Sequence, residues 1–580
     1  MDRLKSAGVH RTCDEKALMT CNLFRALLLW LLLMVGFAGC GGDSTSTIAA
    51  PYAYDPVPEW ARTGNFSFAR WDGGPLEVSK GALSGWPGFV TPDSQVTYAT
   101  TNLYDPGTIE LLERAHVDWI WVTWSVGFSN QTEAAQQAIL RKYIEECHRH
   151  GIHVTAYMSI GNMFWQDMFA NVPESRDWLL KINGQPVPYG AADYAAVGQV
   201  TRYLADLSLQ PWQEYTLARV LAAVDAGADG IMFDNSSSYY PRELLERFTA
   251  RVLSEARQKN PKVLLSSNYG RNQVIAARTE NALTSEQGWE PGIFTSQGPP
   301  PDQWNSSPDF VSVSGGLLVL NAGLLRTLWA VSQGVRPVAV EYGNRHSGDR
   351  FLNTLPPAHQ QLALAECAAF HAANEQYHES TALRELFFGE QPAIDNWNAV
   401  AQYNAFLQKY AQFYQEPISL AGIAVIVDTA VTDISFLDQL AARNVIYDVV
   451  FEEDATPENL ARYQIVLAAP SVPLHSGWRR YEDVTPVVLE AASPGTVAAP
   501  DSVVVNIHGQ ARAGRVLVHL LNYADTPVLG VDVKVRGHFS GARLFSPDVG
   551  TASMPVNGDT QFTQVQIPEL RTYDVVVFEP

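Results

Sequence analysis

Two acids in this chain stand where a short apolar run gives way to a loop. Asp234 ends the run that starts at Gly230 and is followed by Asn235 and three serines; Glu286 ends the run from Ala282, fifty-two positions later, two residues before Gly288. Between them a third run, 262–270, closes on Asn268 and Tyr269. As three successive strands of one parallel sheet, these runs place Asp234 and Glu286 on alternate strands facing one cleft. Two carboxylates across a cleft suit hydrolysis of a glycosidic bond: one meets an oxocarbenium-like centre as nucleophile or base, and the other protonates the leaving oxygen.

Period-two alternation puts Asp234 on the face of Met232 and leaves Ile231 and Phe233 to pack on helices. The plainer alternative for Asp234 is a carboxylate capping the next helix. Glu286 shares its face with Thr284 and Ala282, small residues that leave room for a ligand, the alternative being an exposed loop glutamate. Trp289 is expected to wall its pocket, since apolar surroundings favour a protonated carboxyl. Glu341 also ends a strand-like run and competes for the same role, or pairs with Arg345 or Arg350. The rings of Trp124, Tyr157, Tyr269 and Trp289 and the amides of Asn235 and Asn268 are the substrate-binding candidates, because flat rings stack on sugar faces while amides bind hydroxyls. For any single ring a core position is the commoner fate. No HExxH, CxxC or strand-borne GxSxG occurs, so neither a metal, a cofactor nor a serine nucleophile is indicated.

Strand-like and helix-like runs alternate from about 86 to 415. Residues 118–124, 154–161, 201–208, the three runs above and 337–343 make seven strands; the eighth is sought within 374–390. The intervening helices show apolar spacing of i, i+3, i+4, i+7, as at Leu217, Val220, Leu221 and Val224. This pattern reads as an α/β chain with a (β/α)8 TIM barrel, with a doubly wound sheet as runner-up. Residues 416–475 read as a small α/β domain without a glycine-rich phosphate loop, and 476–580, with short alternating strands and Gly/Pro/Asp turns, as a β-sandwich.

The N-terminus carries an apolar run, Ala26 to Gly39, too short for a comfortable membrane span and followed by Cys40 and a Ser/Thr linker. Residues 37–40 resemble the bacterial lipobox, with Phe37 in place of leucine; this implies a signal peptide over 1–39, translation from Met1 or Met19, and a lipid-modified Cys40 in the cell envelope. Residues 40–85 read as a tether and N-terminal extension. Removal of 1–39 takes away five Lys/Arg and three Asp/Glu and moves the net charge of the 580-residue chain from −21 to −23. Such a body is repelled by phosphate backbones, so nucleic acid is excluded as a partner. Cys147 and Cys367, the cysteines beyond Cys40, are expected as two separate buried thiols rather than one bridge.

The segment from Ala205 to Tyr215, followed by Ala228 to Asn235, resembles the third-to-fourth strand passage of bacterial TIM-barrel glycoside hydrolases. It is also similar to barrels of the α-galactosidase and α-fucosidase type, in which an Asp ending the fourth strand is the nucleophile; the resemblance gives that role to Asp234. The acid/base of the galactosidase type follows strand six, where this chain has Glu286 instead of the usual Asp. Residues 418–475 resemble the trimerisation domain of certain β-galactosidases, which implies a homo-oligomer, and the tail resembles their C-terminal sandwich. Those enzymes use two glutamates after strands four and seven; Asp234-Asn235 departs from that pattern and leaves Glu341 as the lesser candidate. The reading is a surface-anchored glycoside hydrolase acting on oligo- or polysaccharide, the alternative a non-catalytic carbohydrate-binding lipoprotein.

Overall fold

Eight short runs pair in parallel and close on themselves, and because helices or loops cover their outer face they are buried on both sides, which explains the continuous rather than alternating apolar sequence. They are β1 (Phe68–Arg70), β2 (Trp119–Ser125), β3 (His153–Ser159), β4 (Gly230–Ser236), β5 (Leu264–Tyr269), β6 (Leu283–Trp289), β7 (Val338–Gly343) and β8 (Ala373–Gln376), in that order around the barrel. This computed structural model describes residues 57–61, 67–71, 76, 102–194, 198–236, 239–269, 271–295, 310–343, 355–376, 380–510 and 513–580. All fall in one compact unit, Ala53–Pro580. The signal peptide, Cys40, Arg345 and Arg350 lie outside the described residues.

Helices α1 (Ile109–Arg114), α2 (Asn130–Arg149), α3 (Gln210–Asp225), α4 (Arg242–Lys259), α5 (Ala322–Ser332), α6 (Pro357–Ala369) and α7 (Gln391–Lys409) follow the strands, and a 3-10 segment, Arg271–Thr279, fills the position after β5. Two strand expectations are corrected. The 201–208 run is no barrel strand: Gly198–Leu204 pairs antiparallel with Pro188–Tyr194 and Asn162–Phe164 in a small sheet inserted between β3 and α3. Its half-exposed burial pattern reflects a ribbon covered on one side only. The missing barrel strand is β1, inside the stretch read as tether; at three residues it is too short to announce itself. The eighth is β8, whose Ala-Asn-Glu-Gln run has no apolar period because its side chains are small or polar and yet buried.

Alternation sorts the barrel into two layers. Phe68, Trp119, Trp121, Tyr157, Met232, Leu264, Ala339 and Ala373 form an interior cluster, while Ile120, Val154, Ile231, Phe233, Leu265 and Val340 join the larger core beneath the helices. Cys147 and Cys367 are free, buried thiols in that outer core.

The small α/β unit has parallel strands Ile423–Val427, Asp448–Phe451 and Ile465–Ala468, the first in the centre. The sandwich packs a six-stranded against a four-stranded sheet. In the larger sheet Val505, Val518, Leu520 and Val576 meet the facing sheet, while Val504, Leu517, Leu521 and Val575 join the barrel's core. That sheet is therefore apolar on both faces.

Two polar clusters sit in this seam. Glu366, fully buried on α6, accepts Asn321 N–H and Tyr523 O–H on one oxygen (2.8 and 2.6 Å) and Asn321 Nδ2 and Tyr342 O–H on the other (2.8 and 2.5 Å). It thereby ties β7, α5 and the sandwich together. His371 meets His508 edge-on at 4.7 Å and His508 stacks on His519 at 4.9 Å, and burial holds all three below the usual imidazole range, His508 at about 4.

Glu366→Gln turns an NH2 toward donors whichever way the amide faces, so it is expected to lower stability by about 2–4 kcal/mol, seen as a lower thermal midpoint. For His508 the folded pKa lies below its unfolded value, so its share of stability is complete above about pH 6.5 and is lost as pH falls toward 4. Denaturation curves from pH 7 to 4 are expected to show that decline, and His508→Gln to reduce it by up to about 3 kcal/mol.

Candidate active site

Both predicted acids lie on β-bulges at the C-terminal ends of their strands, the end of such barrels where chemistry is done. Phe233 pairs with Ser267 and Ser236 with Tyr269, so β4 has one residue more than β5 across the Asp234-Asn235 step, opposite Asn268. Ser285 pairs with Val340 and Gly288 with Tyr342, giving β6 an extra residue across Glu286-Gln287, opposite Glu341. A bulge re-aims side chains, and in a parallel pair it is rare. Asn235 takes the left-handed conformation at φ 60° to make the first. Gly288 makes room for the second: a Cβ there would meet the Tyr342 ring at 2.2 Å. Close packing, rather than a left-handed turn, is what requires this glycine.

Exposure begins at the bulges. Asp234, Asn235, Asn268, Glu286 and Gln287 are half-buried at the ends of otherwise buried strands. Asp234 is oriented by three donors: Tyr157 O–H at 2.5 Å and Asn235 Nδ2 at 2.9 Å on Oδ2, and Asn268 Nδ2 at 3.1 Å on Oδ1. Asn268 accepts the Glu286 N–H at 3.4 Å on its own oxygen, so one amide spans the gap between the two acids. A strand spacing of about 4.8 Å sets their Cα atoms about 10 Å apart.

Glu286 has a charged neighbour where an apolar wall was expected. Arg70 Nη1, at the end of β1, lies 3.5 Å from Glu286 Oε1 and 2.9 Å from Glu341 Oε2, and the guanidinium rests 4.1 Å from the centre of the Trp121 ring. Glu341 is fully buried and so orders Arg70 rather than touching substrate; register sets it beside Glu375 of β8. Arg70 escaped sequence reading because the strand that carries it is only three residues long.

Tyr189 also escaped it, and no pattern in its neighbourhood marks it. It sits on the inserted ribbon and donates to Asn235 Oδ1, with Arg202 4.9 Å from its ring centre. Burial pushes its phenol above the usual range; the Asp234 and Glu286 charges add to this and Arg202 opposes it. One hydroxyl thus lies within electrostatic reach of both acids.

The other predicted rings lie elsewhere. Trp124 is buried in the outer core, because the period that turns Trp121 inward turns Trp124 outward. Tyr269 is also in the outer core and donates to buried Glu280 at 2.8 Å. Trp289 packs with Phe294 and Val319 of an inserted sheet, its backbone N–H held by Asn321 Oδ1 at 2.8 Å. Among the described residues no three His, Cys, Asp or Glu side chains group as metal ligands do.

No protein-family model matches the chain, and no curated sequence does. Compared as a solved structure, α-L-fucosidase isoenzyme 2 from Paenibacillus thiaminolyticus is similar with a TM-score of 0.58 at 12% identity, covering 89% of this chain and 99% of that one. An α-amylase from Anoxybacillus covers 89% and 98% at 9% identity with a TM-score of 0.48. At such identity the fucosidase likeness is one of fold, a TIM barrel with appended strand-rich domains, and it spans nearly the whole of both chains.

Proposed function

We propose that the protein is a glycoside hydrolase acting on oligo- or polysaccharide, with Asp234 as nucleophile or base and Glu286 as acid/base. The observation that carries this reading is the pair of bulges that turn two half-exposed carboxylates to either side of Asn268. Tyr157, Asn235 and Asn268 leave the Asp234 carboxylate little rotational freedom, which is what attack on an anomeric carbon requires. Arg70 orients Glu286 from the opposite side, while Trp121 and Glu341 hold Arg70 itself. The lipobox at Cys40 supports attachment to a bacterial envelope, and self-association through the 416–475 unit belongs to the same proposal.

The Arg70–Glu286 contact also favours a second reading, a carbohydrate-binding lipoprotein without turnover, since an acid engaged by an internal cation is restrained from proton transfer. A panel of aryl glycosides separates the two. Turnover by the native chain, reduced about 10²–10⁴-fold in both Asp234→Asn and Glu286→Gln at unchanged thermal midpoint, supports the hydrolase; binding without turnover supports the second reading. Tyr157→Phe, which removes one of three donors to Asp234, is expected to cost about tenfold in kcat with little change in KM. For the anchor, Cys40→Ala is expected to move the protein from the membrane to the soluble fraction, and an unchanged membrane fraction contradicts lipidation.

A further inference from the structure

At the opposite, N-terminal end of the barrel, a face that ordinarily serves stability, lies a cavity of about 320 Å³. Asp118, His153 and Ala373, at the starts of β2, β3 and β8, form its floor. Leu364 and Ala368 of α6 and Leu407 of α7 form an apolar wall. Trp60, in the short 3-10 turn Glu59–Ala61, closes one side: its ring stacks on His153 at 3.8 Å and meets Trp119 edge-on at 5.2 Å. Trp119 is itself fixed through its indole N–H to Thr155 at 2.8 Å, and Asn404 on the rim is tied to Ala115 O at 2.8 Å.

We propose that this cavity is a second ligand site, built for a neutral, hydroxylated molecule of monosaccharide size. Its volume reaches the lower end of small-molecule pockets, about 300 Å³. The lining disfavours anionic and wholly apolar guests. No Lys or Arg is among its described lining residues, so a phosphate or carboxylate would meet Asp118 with no counter-charge. An apolar guest would dehydrate the part of the Asp118 carboxylate that Ser67 and Gln408 leave open, and the His153 imidazole beyond its Asp229 contact. Hydroxyls suit both groups: the Asp118 carboxylate, anchored on Oδ1 by the Ser67 N–H at 2.7 Å, accepts from one, and the imidazole bonds another. C–H faces then pack against Leu364, Ala368 and Leu407. Burial pushes the Asp118 carboxyl up to about 6, so at pH 7.5 it acts as an acceptor.

The site is separate from the acids at the other end and does not depend on their performing hydrolysis. It is tested on the full-length chain at pH 7.5 by saturation-transfer NMR and tryptophan fluorescence. The probes are D-glucose, D-galactose, L-fucose and myo-inositol, with D-glucose 6-phosphate as an anionic comparison. At least one neutral probe is expected to bind. Asp118→Asn, isosteric and keeping the Ser67 contact, is expected to weaken it more than about fivefold, Ala368→Phe to abolish it by filling the space, and Leu529→Ala, at an exposed sandwich position, to leave it unchanged. The proposal is overturned if no neutral probe binds, if the phosphate binds as tightly as the neutral probes, or if binding survives Asp118→Asn and is lost in Asp234→Ala. Should Ala368→Phe fail to fold, the Asp118→Asn result decides.

Discussion

A single guanidinium holds the acid end of the barrel together. Arg70 is the last residue of β1, the three-residue strand that closes the cylinder, and it lies within ion-pair distance of both Glu286 and buried Glu341 while resting on Trp121. Removing one partner of such a pair leaves a charge without compensation in a low-dielectric interior, at a cost of about 3–5 kcal/mol. Barrel closure and site geometry are thus coupled: β1 must be in place for Glu286 to be held, and Glu341 anchors the residue that holds it.

The barrel departs from regular pairing in three places, and two of the departures coincide with the candidate acids, the third lying between Thr123 and Ser125 of β2. The Asp234-Asn235 bulge needs a left-handed asparagine, and the Glu286-Gln287 bulge needs a glycine that tolerates the Tyr342 ring. Neither is required to close a barrel. Each sits at the step where its strand presents a carboxylate. The inserted ribbon adds Tyr189, whose hydroxyl reaches Asn235 and so acts on Asp234 at one remove. The sandwich, by contrast, packs its larger sheet against the barrel, with Glu366 and the three packed histidines in the seam.

The barrel was legible from sequence where strands are long and apolar. The Asp234, Asn268 and Glu286 runs and the helices between them follow periods set by burial alone, and the inward aim of Asp234 followed from Ile231 and Phe233 facing the other way. What was missed had no such period. β1 is three residues long, β8 is polar yet buried, and Gly198–Leu204 belongs to a ribbon inserted beyond the barrel. Trp124, Tyr269 and Trp289 were read as mouth residues for their chemistry, but chemistry does not say which face of a strand a ring takes. The mouth is furnished instead by Arg70, Trp121 and Tyr189, brought there by closure and by the insertion.

The central claim is that Asp234 and Glu286 converge on one sugar. A crystal structure of the Asp234→Asn protein soaked with the aryl glycoside it processes most readily addresses this directly. The account predicts a sugar ring in the barrel mouth, its anomeric carbon facing position 234 and its leaving oxygen within hydrogen-bond distance of Glu286. A sugar bound with neither residue at the scissile bond contradicts it.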